Sequence, residues 1–209
     1  MKKLVLSLLF VALCFSASAQ TKLSETQSNA LMVSLTEAAS SMQTMQCHFV
    51  QSKTMAMLAE PSVSEGRMYF SNPDRLRWEY ATPYPFALVV NGERIVKIMD
   101  GKVEALDGKS GKMYQGIVDM IMGSASGKKL FDSSSFDAVL YDDGAFWKAE
   151  MTPKRRDMKR MFSLLVFYFD KQSQVIDHVE FIEPKGDKTT IRFEDIRLNE
   201  AIEEIVFKQ

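Results

Sequence analysis

The sequence predicts an α+β protein that is mostly antiparallel sheet, a meander or barrel of short strands behind one long helix. Three observations predict it. Apolar residues recur at every second position through most of the chain, the period of a half-buried strand. Turn residues interrupt those runs about every eight to twelve positions, as in meanders and barrels. Only one stretch, near the amino terminus, carries a clear helical period over several turns.

That helix is predicted over 24–46. Leu31, Leu35, Ala38, Met42 and Met45 fall three and four apart and form a single apolar stripe. Ser24, with Gln27 following at the third position, has the form of a capping box. Residues 47–57 then switch to alternation, with Cys47, Phe49 and Gln51 on one face and His48, Val50 and Ser52 on the other. The segments 64–71 and 75–80 read as a hairpin around Asn72-Pro73-Asp74. Gly66, Met68 and Phe70 share a face, as do Leu76, Trp78 and Tyr80, while Arg75, Arg77 and Glu79 point to the opposite, wet side. Strands over 86–90 and 94–99 flank Asn91-Gly92, a strong hairpin signal, and Asp100-Gly101 leads into 102–106. Residues 115–122, closed by Gly123, read as a short apolar helix in a loop-rich insertion. Strands resume over 136–141, 145–152, 162–169, 175–182, 189–198 and 205–207, roughly ten or eleven in all.

Residues 1–19 stand apart. Lys2 and Lys3 precede an apolar stretch too short to span a bilayer, and Ala17-Ser18-Ala19 is a small-residue cleavage site. They are expected to be a cleaved signal peptide, leaving 20–209 as a single exported domain. Lipid attachment at Cys14 is disfavoured because Leu13, not a small residue, precedes it. Cys47 is then the remaining cysteine, so no internal disulfide forms and the fold stands on its core. The formal charge of −1 becomes more negative without Lys2 and Lys3, which argues against a general nucleic-acid binder.

Groups for catalysis are sparse. The two histidines, His48 and His178, lie on different predicted strands. Cys47 and His48 are adjacent on a strand and point to opposite faces, so they make no dyad. His178 alternates with Val179 and is expected to face solvent. Neither a metal-ligand spacing, a phosphate loop nor a nucleophile elbow is present in the sequence. No enzymatic activity, cofactor or metal is therefore expected.

Binding is the better supported reading. The chain has fourteen methionines, and methionine suits surfaces that repack around varied ligands. Phe70, Trp78, Tyr80, Phe86, Phe167, Phe169, Phe181 and Phe193 all fall on apolar strand faces, more apolar surface than one helix can cover. Lys154-Arg155-Arg156-Asp157-Met158-Lys159-Arg160 is the one strong charge cluster. It is predicted to be a hairpin loop, either simply solvated or, in the sharper reading, a docking patch of Lys154, Arg155, Arg156, Lys159 and Arg160 for an acidic partner or anionic headgroups.

Several segments together resemble the LolA family, periplasmic carriers of outer-membrane lipoproteins. Phe49-Val50-Gln51 after the amphipathic helix is similar to the family's F-x-Q entry. Gly66, Met68, Phe70, Pro73, Leu76, Trp78 and Tyr80 match its G-x-[MLI]-x-F-x-x-P-x-x-[LF]-x-W-x-Y pattern. Pro83 and Leu88-Val89-Val90-Asn91-Gly92 follow in order, then Thr152-Pro153-Lys154, then Gly186-Asp187-Lys188-Thr189 with Ile191, Phe193 and Asn199.

The resemblance implies a strongly curved, unclosed antiparallel half-barrel of about eleven strands, with a helical lid over its apolar concave face. It implies a monomeric carrier that receives acylated lipoproteins from an inner-membrane ABC-type release complex and passes them to an outer-membrane acceptor. The acyl cavity is expected to involve Phe49, Met68, Phe70, Leu76, Trp78, Tyr80, Leu88, Val90, Met120, Phe167, Phe169, Phe181, Ile191 and Phe193. A carrier of another amphiphile, a glycolipid or an acylated pigment precursor, would use the same cavity, and an acyl-ester enzyme is a third class. One departure stands out. In well-known enteric members an arginine that ties the lid shut immediately precedes the strand-turn proline, and here that position is Asn72, a candidate for weaker lid contact.

Overall fold

A computed structural model describes residues 20–57, 60–106 and 131–208. Residues 1–19 and the short helix expected over 115–122 lie outside the described residues. The described chain forms one twelve-stranded antiparallel sheet, in the spatial order β1-β8-β9-β10-β11-β12-β2-β3-β4-β5-β6-β7. The strands are β1 (Thr21–Lys22), β2 (Thr44–Thr54), β3 (Ser62–Ser71), β4 (Arg75–Thr82), β5 (Phe86–Asn91) and β6 (Arg94–Met99). They continue with β7 (Lys102–Ala105), β8 (Phe136–Asp142), β9 (Phe146–Pro153), β10 (Leu164–Asp170), β11 (Ile176–Ile182) and β12 (Lys188–Leu198). Helix α1 (Glu25–Ser41) covers the apolar face, and a short helix α2 (Arg156–Met161) sits between β9 and β10.

Two meanders make this sheet. One runs β2 to β7 and the other β8 to β12, each by hairpins. The pairing of β12 with β2, from Lys188↔Thr54 to Leu198↔Met45, fuses them. Edge strands β1 and β7 do not pair with each other, so the sheet stays open. Turn chemistry follows the sequence. Asp100 and Gly101 both take positive φ between the paired Met99 and Lys102, the twist a two-residue hairpin needs. Gly92 also has positive φ, and its N–H donates to the Asp74 carbonyl, resting one hairpin tip on the next.

Helix α1 begins where the sequence places it. The Ser24 N–H donates to Gln27 Oε1 at 3.0 Å and the Gln27 N–H donates back to Ser24 Oγ at 3.4 Å, a complete capping box. Its end is earlier than the predicted 46. Met42 is the C-cap in extended conformation, and β2 starts at Thr44. The Gln43 N–H donates to Asn199 Oδ1 and Thr44 Oγ1 donates to the Glu200 carbonyl, so tertiary partners capture the backbone there. Met45 nonetheless keeps its apolar side, because alternation along β2 delivers it to the face the helical stripe would have used.

The main core lies on the concave face, where Phe49, Phe70, Leu76, Leu140, Met151 and Leu165 are almost wholly buried and Leu35 reaches down from α1. The face expected to be wet is only partly so. On the convex side of β5 and β6, Ala87, Val89 and Val96 form a second small core. The predicted strand at 205–207 is a 3-10 helix instead, Glu204–Phe207, and it docks on this side. Phe207 is 1% exposed beneath the Arg75 guanidinium, which also pairs with Glu204 at 2.6 Å. Arg77 donates to the Val206 carbonyl. The two arginines do point away from the concave face, as alternation requires, but they hold down the carboxy-terminal segment.

His178 corrects a further expectation. It is on the convex face yet buried, stacked on Tyr168 at 3.9 Å with Phe146 edge-on, and its Nδ1 lies 2.6 Å from Asp177. Burial, then the charges of Glu180, Asp143 and Glu150, push the Tyr168 phenol up to about 12. The histidine is thus a packing element of β11.

Two outcomes follow for stability. A Phe207→Ala chain should lose about 3–5 kcal/mol in chemical denaturation, the usual cost of emptying a buried phenylalanine site, although residue 207 lies on the face opposite α1. Gly66→Ala should also be destabilising, by about 1–3 kcal/mol or more. A Cβ there would collide with the Glu79 carbonyl oxygen and stand 2.6 Å from Phe49 Cζ, contacts that backbone must move to relieve.

Candidate functional site

Between α1 and the concave face lies a cavity of about 470 Å³, within the usual range of small-molecule pockets of about 300–1,000 Å³. The roof comes from Leu35, Ala38, Ala39 and Met42, with Met45 just beyond. One wall is Met68, Trp78, Tyr80, Phe86 and Leu88 of β3 to β5. The facing wall is Phe167, Phe169, Val179, Phe181, Ile191 and Phe193 of β10 to β12. The surface is apolar with few polar groups: Gln51, Lys53 and Thr189 toward one end, and Ser173, Gln174 and Asn199 toward the other.

The aromatic wall is built on a glycine. Gly66 pairs directly with Phe49, and its missing side chain lets the Phe49 ring lie against the strand. On that platform Trp78 tilts over Phe49 at 4.4 Å, Tyr80 meets Phe49 edge-on at 5.2 Å, and Phe86 stacks on Tyr80 at 4.6 Å. These are the offset and edge-to-face geometries that aromatic quadrupoles favour. Tyr80 Oη donates to Gln51 Oε1 at 2.9 Å, fixing the ring, and burial raises the phenol's pKa above its ordinary value. Cys47 lies in the same apolar bed, where burial pushes its thiol up to about 12.

Of the residues proposed from sequence for the cavity, Met68, Trp78, Tyr80, Leu88, Phe167, Phe169, Phe181, Ile191 and Phe193 line it. Phe49, Phe70, Leu76 and Val90 do not. They are 1%, 0%, 0% and 2% exposed and form the packed layer behind the lining. Met120 lies outside the described residues. The sequence places the α1 stripe and Phe86 on apolar faces without including them among the cavity residues, and gives no such role to Gln51, Lys53 or Val179. Gln51 and Val179 were signalled by alternation from Phe49 and Phe181.

Asn72 does not tie the helix down through its side chain. Its Oδ1 is buried with no hydrogen-bond partner among the described residues, while its backbone N–H donates to the Gln43 carbonyl at 2.8 Å. What joins the middle of α1 to the sheet by side chains is Ser34, hydrogen-bonded to the Gln174 amide in the β10–β11 turn at 2.8 Å. The basic cluster is partly a helix, not a loop. Lys154 pairs with Asp137 at 2.8 Å and Arg155 with Asp157 at 2.6 Å, while Arg156, Lys159 and Arg160 are exposed on α2. Phe162 immediately follows α2, lines the cavity and packs on Phe181 at 5.4 Å.

Among the described residues no three His, Cys, Asp or Glu side chains are grouped so as to hold a metal ion, and no helix is long and apolar enough to cross a membrane. His48 and His178 are kept apart by the intervening β12.

The model of the family described as outer membrane lipoprotein carrier protein LolA matches residues 40–209. The chain belongs to the LolA family. An outer-membrane lipoprotein carrier protein of Methylobacillus flagellatus is 28% identical over 160 residues, covering 76% of this chain and 74% of that protein. One from Pseudomonas fluorescens is 26% identical over 174 residues, covering 83% and 81%. Among solved structures, an uncharacterized conserved protein of Thermus thermophilus superposes with a TM-score of 0.53 at 11% identity, covering 88% of this chain and 94% of that one. The Mycobacterium tuberculosis lipoprotein LppX reaches 0.50 at 12% identity, covering 86% and 99%. At such identities these two speak for the fold alone.

The buried Cys47 provides a check on the packing around the site. A thiol with a pKa of about 12 is almost wholly protonated at pH 8, and the thiolate is the reactive form. Labelling by iodoacetamide at pH 8 should be negligible in the folded protein and complete once urea unfolds it.

Proposed function

We propose that this LolA-family protein is a periplasmic carrier that holds the acyl chains of lipoproteins in the cavity between α1 and the sheet, and that it is not an enzyme. The observation that carries this reading is the cavity itself: aromatic, methionine-rich, covered by a helix whose own apolar stripe forms the roof. Each buried methylene of an acyl chain contributes about 0.8 kcal/mol, so a bare acylated protein in water would partition or aggregate. A cavity of this lining gives it an alternative apolar surface. The flexible, polarizable side chains of Met42, Met45 and Met68 suit chains that differ in length and branching.

Nothing in this site hydrolyses a nucleotide, and release by an inner-membrane ABC-type complex would supply the energy. An outer-membrane acceptor would then take the cargo. The exposed Arg156, Lys159 and Arg160 suit docking to an acidic surface of such a partner. Their helix leads directly into Phe162 at the cavity wall, which would put the dock beside the opening through which a chain moves. A LolA-like carrier of a glycolipid or another acylated amphiphile would use the same lining, and the nature of the captured molecule separates the two.

Photo-crosslinkers placed at Met68 or Phe181 in the periplasm should capture acylated lipoproteins. Capture of glycolipids alone would replace the lipoprotein reading, and an absence of any lipid adduct from a well-expressed protein would sink the carrier reading altogether. Reversing charge at Arg156, Lys159 and Arg160 together should slow cargo transfer in a reconstituted release assay at least several-fold. Binding of a free lipid probe in the cavity should be unchanged.

A further inference from the structure

Trp78 carries a buried hydrogen-bond donor that the fold leaves unused. The residue is 6% exposed, lines the cavity, and its Nε1–H has no hydrogen-bond partner among the described residues. The Tyr80 hydroxyl, whose own proton goes to Gln51 Oε1, is close enough to be the natural acceptor, but the indole N–H does not meet it in hydrogen-bonding geometry. Indole offers only this one donor and no acceptor, so no alternative orientation of its polarity relieves the deficit. A buried donor left unpaired is costly, and such groups in native structures call for an explanation.

Packing alone does not require tryptophan here. Its surroundings are apolar: Phe49 at 4.4 Å, Phe193 at 6.2 Å and Tyr80 at 6.5 Å, with Met68 and Leu88 opposite it on the flanking strands. Phenylalanine would supply a ring in that stack without a polar atom to satisfy. The neighbouring polar groups have the same placement. Gln51 and Tyr80 are both on the lining, both hydrogen-bonded to each other, and the Gln51 amide nitrogen remains a further donor at the same end of the cavity. The cavity is thus not uniformly oily. It has one donor-bearing patch, Trp78 with Tyr80 and Gln51, set in the aromatic wall.

We propose that this patch is a subsite for the carbonyl oxygen of an acyl ester or amide, with Trp78 Nε1–H as the donor, so that the cavity recognises acyl groups and not hydrocarbon in general. The inference rests on the carrier reading above and names the ligand chemistry that the same cavity selects. A carbonyl in the patch would fix how deep the chain sits: its methylenes run toward Met42, Met45 and Leu35, and the polar remainder of the molecule lies toward Lys53 and Thr189. Tight binding by hydrocarbon area alone would lack that register.

The test uses two lipids alike except at the carbonyl, 1-palmitoylglycerol and its ether analogue 1-hexadecylglycerol, each displacing a fluorescent apolar probe from the intact protein. Wild type should prefer the ester by about three- to tenfold, the worth of one hydrogen bond, and Trp78→Phe should bring the ratio close to one, whatever the change in absolute affinity that both lipids share. Because the variant loses a large core side chain, the wild-type protein gives an independent measurement. The Trp78 indole N–H resonance should move downfield with the ester and not with the ether, while Trp147, which does not line the cavity, stays in place as reference. Equal affinities for the two lipids in wild type, or an unmoved Trp78 resonance with ester bound, would overturn the subsite and leave the cavity as a carrier site. Failure of both lipids to displace the probe would overturn the cavity reading as well.

Discussion

Everything in this molecule depends on the pairing of β12 with β2. The two meanders are separately plausible hairpin stacks, but neither encloses anything. Joining the last long strand to the first produces one sheet wide enough to curl, and places Phe193 opposite Phe49 and Ile191 opposite Gln51 across the joint. The cavity's two walls are therefore residues of different meanders, brought together by the contact of greatest sequence separation in the sheet. Loop-closure entropy opposes such contacts, so joining the two walls carries the largest chain-closure cost of any pairing in the sheet. Helix α1 depends on the same joint. It leaves β1 at the outer edge and returns into β2, six strand spacings away, or about 29 Å along the sheet at about 4.8 Å each; its 17 residues rise about 25 Å, a span that the curl of the sheet brings within reach.

The aromatic wall shows how a binding surface can be held firm without being filled. Phe49, Phe70, Leu76 and Val90 form a packed layer behind it, and the lining side chains stand on that layer. Gly66 sets the depth of the wall because it lets Phe49 approach the strand backbone. Affinity for an acyl chain then comes from area, about 25 cal/mol per Å² of apolar surface removed from water, offset by the ordering of a flexible chain. Such a balance gives modest net binding, which suits a carrier that must also let go.

Much of this was readable from residues. Alternation in β3 to β6 gave faces that the structure keeps, the capping box at Ser24 and Gln27 was visible as a pair, and the family motifs fall on the strands that bear the site. The errors have specific physical causes. The helical stripe continues to Met45 because that residue lies three after Met42, as in a helix, and two before Cys47, as in a strand, and hydrogen bonds from Gln43 and Thr44 to residues 199 and 200 decide between them. His178 alternates correctly but is covered by Tyr168 and Phe146 from neighbouring strands, which no local pattern shows. The carboxy-terminal 3-10 helix read as a strand because Ile205 and Phe207 alternate, and only the docking of Phe207 beneath Arg75 distinguishes the two. Phe49 and Phe70 share a face with Met68 and Trp78, and sequence cannot tell the layer that lines a hollow from the layer that backs it.

The carboxy-terminal segment also makes the two walls mechanically unequal. Around β4 to β6 the sheet is packed on both sides, by the main core within and by Phe207 with the small cluster of Ala87, Val89 and Val96 without. Around β9 to β12 the outer face carries the single stack of His178, Tyr168 and Phe146, ringed by charged side chains such as Lys148, Glu150, Glu180 and Arg192, and not a docked apolar segment like Phe207. A layer clamped between two cores resists bending more than one clamped on a single side. On that ground widening the hollow would cost more on the half with Trp78 and Tyr80 than on the half with Phe167 and Phe181, to which Ser34 and Gln174 couple the helix.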